Sequence, residues 1–222
     1  MIDLEIRNGK YYWPKYAKPD NGRYLRHAET DLAEAIKFAP GRGVVVQAGG
    51  HVGMWPMWLT HHFGHVVTFE PHPTNYAALA KNLATHAGPG RFTANEGALS
   101  DMIGDAVLKV SKNAGGHSLG AGSNGEGEFI NVKTFTIDFT MGDCPVDFIC
   151  LDIEGHELPA LQGAQRVLRR DRPLLMIEMR GHGIKKGRGN SDDDIIRYLD
   201  ELEYEPVKTI RNDRLFMYRG NM

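Results

Sequence analysis

The chain has 222 residues, 41% of them hydrophobic and 24% charged, with a formal net charge of −2. This balance suits one domain spanning 1–222 with a real core, and it disfavours nucleic acid as a partner, because phosphate binding needs clustered Lys and Arg. Cys144 and Cys150 imply no disulfide framework, the start of the chain carries no signal peptide, and no apolar run approaches the ~20 residues that cross a membrane, so the expected setting is cytoplasmic.

Residues 1–28 are polar and aromatic, with Tyr11-Tyr12-Trp13-Pro14 at their centre. They read as an irregular arm or hairpin docked on the core. A helix is expected over about Thr30–Ala39, capped by Thr30 or Asp31. A buried strand follows at Val44–Gln47, then a glycine turn and a helix from about Val52. A second strand covers Val66–Glu70, a helix Thr74–His86, and a third strand Phe92–Ala98. Asp105–Val110 and Glu128–Phe139 alternate like strands. Between them, residues 111–127 are rich in glycine, which argues for a substrate-facing loop. Val146–Ile153 and Pro173–Met179 are further buried strands, separated by a helix at about Leu158–Leu168. Arg166, Arg169, Arg170 and Arg172 read as a solvated helix end. Ser191 caps a helix whose first turn is acidic, and Tyr204–Ile210 with Arg214–Tyr218 form a closing hairpin.

Strand and helix alternate through most of the chain. The expected fold is therefore α/β, a doubly wound and mainly parallel sheet of Rossmann type with an antiparallel C-terminal hairpin. The run Gln47-Ala48-Gly49-Gly50-His51-Val52-Gly53 follows a buried strand and opens a helix. Glycines there let backbone approach a ligand that a Cβ would displace. About twenty residues on, Glu70 ends the next strand, where a carboxylate can accept hydrogen bonds from two ribose hydroxyls. The pattern points to a nucleotide-like cofactor without naming it.

Two more segments narrow the choice. Asn95-Glu96-Gly97-Ala98-Leu99-Ser100-Asp101 ends the third strand. Asp147-Phe148-Ile149-Cys150-Leu151-Asp152-Ile153-Glu154-Gly155-His156-Glu157 runs from strand into helix, followed by Leu158-Pro159-Ala160-Leu161-Gln162-Gly163-Ala164. With the strand Arg172–Met179, these resemble the FkbM family of S-adenosylmethionine-dependent methyltransferases over about residues 42–180. The resemblance implies the class I methyltransferase variant of the fold and O-methylation of a hydroxyl on a sugar or secondary metabolite. It implies that Gly49, Gly50 and Gly53 approach the cofactor's methionine and ribose, and that Glu70 holds the ribose. It further implies that Pro71 borders the adenosine, that Gly97 and Ala98 lie near the adenine, and that Asp152 faces the donor or the acceptor.

The chain departs from the family at Gln47, where an acid is usual, and at His51, where an asparagine is usual. Gln47 keeps a carbonyl acceptor for the donor's ammonium but supplies no charge. An oxygen acceptor must lose a proton, and Asp152, Glu154 and His156 are the candidates to take it. Glu154 has a second reading, fixing the turn by accepting backbone N–H bonds. His117, Glu178 and His182 are expected to touch the small-molecule or glycan acceptor. His61, His62 and His65 do not match a zinc pattern, and no metal is expected. Two other functions remain open at this level. Ala48-x-Gly50-x-x-Gly53 partly fits a nicotinamide dinucleotide fingerprint, and Gln47 is compatible with a non-catalytic cofactor-binding module.

Overall fold

The computed structural model describes residues 2–18, 22–111, 116–119, 127–179 and 191–221. The N-terminal segment is a hairpin of β1 (Leu4–Arg7) and β2 (Tyr11–Pro14). Trp13 is buried from it against Ala78, Leu79 and Leu83. A continuous helical run follows: α1 (Arg23–His27), a π turn (Ala28–Leu32), α2 (Ala33–Ala35) and a 3₁₀ turn (Ile36–Phe38). The helix thus begins seven residues before Thr30. Thr30 is not a cap; its Oγ1 donates back to the carbonyls of Arg26 (3.0 Å) and His27 (3.4 Å).

The central sheet contains β3 (Val44–Ala48), β4 (His65–Glu70) and β5 (Phe92–Glu96), with α3 (Met54–Leu59) and α4 (Pro73–His86) between them. A second sheet is built from β6 (Ala98–Leu99), β7 (Gly104–Val110), β8 (Ser118–Leu119) and β9 (Glu128–Phe135). The chain then passes through α5 (Ile137–Met141), β10 (Phe148–Leu151), α6 (Glu157–Gln162), α7 (Gln165–Asp171) and β11 (Leu174–Glu178). It closes with α8 (Asp192–Glu201), β12 (Tyr204–Ile210) and β13 (Asp213–Tyr218).

The central sheet has the order β12-β13-β11-β10-β3-β4-β5. β3, β4, β5, β10 and β11 run parallel, and β13 is antiparallel to both β11 and β12. Both faces are covered, as near-continuous apolar strands require. Val46, Ile149, Leu151 and Ile177 face Leu161, Leu168 and Leu199. Val45, Phe148, Cys150 and Met176 face Leu32, Leu59 and Phe63.

Three expected boundaries move. The strand expected to reach Phe139 ends at Phe135, because the Thr136 hydroxyl accepts the Phe139 N–H and starts α5. The helix expected at Leu158–Leu168 is broken at Gly163, whose carbonyl accepts the Asp138 N–H, while the Asp138 carboxylate caps α7 through the Arg166 and Val167 N–H groups. The third strand ends at Glu96, and Ala98–Leu99 crosses to pair with β9. Within the glycine-rich stretch, Ser118–Leu119 pairs with β7; residues 112–115 and 120–126 lie outside the described residues. Ser191 forms a capping box with Asp194, as its sequence position leads one to expect.

Candidate active site

The carboxyl ends of the parallel strands open into one cleft of about 1200 Å³. This is where ligands bind in open α/β sheets. The turn after β3 forms its wall with Gly49, Gly50 and His51. Gly49 has φ +80°, and a Cβ there would collide with the Asp152 carbonyl oxygen. The turn is thereby pressed against the end of β10, whose Leu151 pairs with Ala48.

Glu70, at the end of β4, is buried and lines the same cleft. Its carboxylate accepts the backbone N–H of His51 at 2.7 Å and that of His72 at 2.9 Å, with Asn75 Nδ2 at 3.5 Å. Burial pushes its pKa up to about 7, and these three hydrogen bonds oppose the rise. A carboxylate carries about four acceptor sites, so with three taken about one remains for a ligand. Pro71, Gly97 and Ala98 continue the wall beyond Glu70.

Aromatic side chains from the N-terminal arm close over this end. The ring of His51 (φ +49°) lies 5.5 Å from Trp13 and 4.9 Å from Tyr24. His72 stacks on His117 at 4.3 Å. His117 Nδ1 accepts the Ser111 N–H at 3.0 Å, and burial, then His72 and His51, drive its pKa down to about 3. His117 is therefore neutral and lies against the residue two past Glu70.

The floor is acidic. Asp152 and Glu154, past the end of β10, and Glu178, at the end of β11, each bring a carboxylate oxygen within 4.8 Å of the others. All three line the cleft. Such a hard-oxygen donor set can hold a divalent cation.

Three expected residues fall outside the cleft lining. Gln47 is turned into the sheet layer: its Oε1 accepts from Thr68 Oγ1 at 2.6 Å and its Nε2 donates to the Ala48 carbonyl at 3.0 Å. Alternation along β3 puts it on the Val45 side, away from the role expected for it. Gly53 starts α3 at φ +91° and packs against Leu79 of α4. His156 Nε2 lies 3.0 Å from Ser100 Oγ, which also donates to Asp101. His156 is thus engaged with Ser100, while Asp152 and Glu154 line the cleft. His182 lies outside the described residues.

Glu157 fixes the turn after β10. Glu157 Oε1 accepts the N–H groups of Ile153 (3.2 Å) and Gly155 (3.1 Å), and burial raises its pKa to about 7. Asn75 and Tyr24 were also missed, and Trp13 was read as docking on the core, although it covers this end of the cleft as well. For Asn75 the only sequence signal is its place in the first turn of the helix after Glu70.

Strand order, glycine turn and terminal acid are those of the class I methyltransferase fold. The profile of the FkbM methyltransferase domain matches residues 47–206. No curated protein matches the sequence. The FkbM methyltransferase of Methylobacillus flagellatus KT aligns with a TM-score of 0.52 at 20% identity, over 78% of this chain and 43% of its own. The chain thus spans under half the length of that enzyme. A precorrin 8w decarboxylase from Methanobacterium thermoautotrophicum aligns at 0.52 with 13% identity, over 96% of this chain and 99% of its own. These likenesses show the shared fold.

The chain belongs to the FkbM methyltransferase family. Its cofactor is S-adenosylmethionine. The buried, lone-pair-bearing Glu70 and the Gly49–Gly50 wall fit that group.

Proposed function

We propose that this protein methylates a hydroxyl group on a small acceptor, a sugar or secondary metabolite. The supporting observation is the placement of Asp152 and Glu154 in the same cleft as the Glu70 ribose clamp, directly beside the Gly49 turn. Bound S-adenosylmethionine supplies a methyl group on a sulfonium, which departs as a neutral thioether. Glu70 accepts hydrogen bonds from the ribose hydroxyls and fixes the donor's position. Gly49 and Gly50 form the wall along which its methionine part lies. Pro71, Gly97 and Ala98 border the adenosine.

Asp152 or Glu154 accepts the proton of the acceptor hydroxyl as the oxygen–methyl bond forms and the carbon–sulfur bond breaks. In this scheme most of the acceleration comes from holding acceptor oxygen and methyl carbon in line. Glu178 touches the acceptor, and neutral His117 borders the adenosine end through its stack on His72.

The test is incubation with S-adenosylmethionine and a panel of hydroxylated sugars and secondary metabolites, read by mass spectrometry. A product heavier by one methylene, with the new carbon on oxygen, supports the reading. Methylation at nitrogen or carbon alone would overturn it.

A further inference from the structure

Glu70 Oε1 takes two donors, the His72 N–H and Asn75 Nδ2, and Oε2 takes one, the His51 N–H. The acceptor left for a ribose hydroxyl therefore lies on Oε2, and the two donors at Oε1 fix the plane that aims it. Both residues that supply them meet one hydroxyl outside the sheet. Tyr16 donates to Asn75 Oδ1 at 3.2 Å, and its oxygen lies 3.3 Å from His72 Nδ1. With the Asn75 oxygen engaged by Tyr16, Nδ2 is the side turned to Glu70; the reversed amide would set oxygen against carboxylate. Burial first, then the Glu70 and Glu128 charges, push the Tyr16 pKa up to about 12, so the hydroxyl keeps the proton it donates.

The backbone that carries Tyr16 is held in place. The residue follows β2 in a turn whose carbonyls at Pro14, Ala17 and Lys18 all accept from the Arg7 guanidinium. β2 is fastened in turn to α4. Buried Asn82 accepts the Tyr12 N–H at 2.8 Å and donates to the carbonyls of Tyr12 (2.9 Å) and Val52 (2.7 Å). Asn82 thus joins the arm to the glycine turn as well, and Trp13 and Ala17 line the cleft. The arm reaches both the glycine turn and Glu70, and it lies outside residues 47–206, which the family profile matches.

We propose that Tyr16 is a positioning residue for the donor site: through Asn75 and His72 it sets the Glu70 carboxylate, so that docking of the N-terminal arm and binding of the cofactor are coupled. This rests on the reading of Glu70 as the ribose contact. Coupling of this kind is reciprocal. If the docked Tyr16 tightens cofactor binding, bound cofactor tightens the docking of the arm by the same factor.

The experiment titrates S-adenosylhomocysteine into the full chain, Tyr16→Phe, Glu70→Gln and the double variant by calorimetry, and reads hydrogen exchange of the arm amides in parallel. Phenylalanine keeps the ring edge against His72 and removes only the hydroxyl. Tyr16 is 44% exposed, so the variant folds, which urea unfolding checks. Tyr16→Phe is expected to weaken binding about fivefold. It should add little beside Glu70→Gln, because it acts through that carboxylate. S-adenosylhomocysteine is expected to slow exchange of the amides from Tyr11 to Ala17 in the wild type, and to do so about fivefold less in Tyr16→Phe. Wild-type affinity in Tyr16→Phe, whatever its urea midpoint, overturns the proposal and leaves the ribose contact standing. So does the same loss with Glu70 intact and replaced, or arm exchange that the ligand leaves unchanged. No binding by the wild type, or full affinity in Glu70→Gln, sinks the ribose contact and this proposal with it.

Discussion

Glu70→Gln separates the ribose clamp from the fold that carries it. In the wild type the buried carboxylate has a pKa near 7 against 4.5 in the unfolded chain. A folded pKa raised this way contributes stability that is complete below 4.5 and lost as pH rises through about 7; the ionised form strains the empty protein by on the order of 3 kcal/mol. Glutamine removes that strain. It also leaves one of the His51 and His72 N–H groups facing an amide instead of an acceptor, at about 1–3 kcal/mol. The two effects nearly cancel above neutral pH, so the variant folds. Binding behaves differently. Glutamine keeps one ribose acceptor and loses the charge-assisted one, about 2 kcal/mol or about thirtyfold in affinity. The ribose hydroxyls require the ionised carboxylate, so wild-type affinity for S-adenosylhomocysteine falls about tenfold per unit below about pH 7. The variant's affinity is flat with pH. Calorimetry across about pH 5.5 to about pH 8 reads both quantities. A wild type indifferent to pH, or a variant that binds as tightly, refutes the ribose contact.

Gly49→Ala must place a Cβ against the Asp152 carbonyl at positive φ; a loss of about 2 kcal/mol or more in urea unfolding is expected, and unchanged stability would contradict the packing described. Asp152→Asn should lower turnover about a hundredfold or more, whereas His156→Ala, which loses the contact to Ser100, should leave turnover within about twofold and cost about 1 kcal/mol of stability or more. The reverse ranking would restore His156 as the base. A sulfonium methyl needs no Lewis acid, so EDTA should leave turnover unchanged; a loss reversed by magnesium would make Asp152, Glu154 and Glu178 a metal centre.

The parallel strands were legible because each is a short apolar run closed by glycine, proline or an acid, and the capped helix at Ser191 because its box is local. Glu70, Gly49, Gly50 and Asp152 were legible for the same reason: each sits where a strand ends, and strand ends share one edge of the sheet. What sequence could not place was side-chain direction and long-range approach. Gln47 lies one residue before the cleft but on the other face of β3, joined to Thr68 of β4. His156 follows the turn after β10 yet meets Ser100, fifty-six residues earlier. Glu157 ties the turn by reaching back from α6 to the Ile153 and Gly155 N–H groups. Arg23 and Arg211 come to line one cleft only by tertiary packing.

The most direct measurement of the central claim is calorimetric titration of the purified protein with S-adenosylmethionine and S-adenosylhomocysteine, with NAD as control. The account predicts micromolar binding of both sulfur compounds and none of NAD. Binding of NAD alone, or of neither sulfur compound, would contradict it.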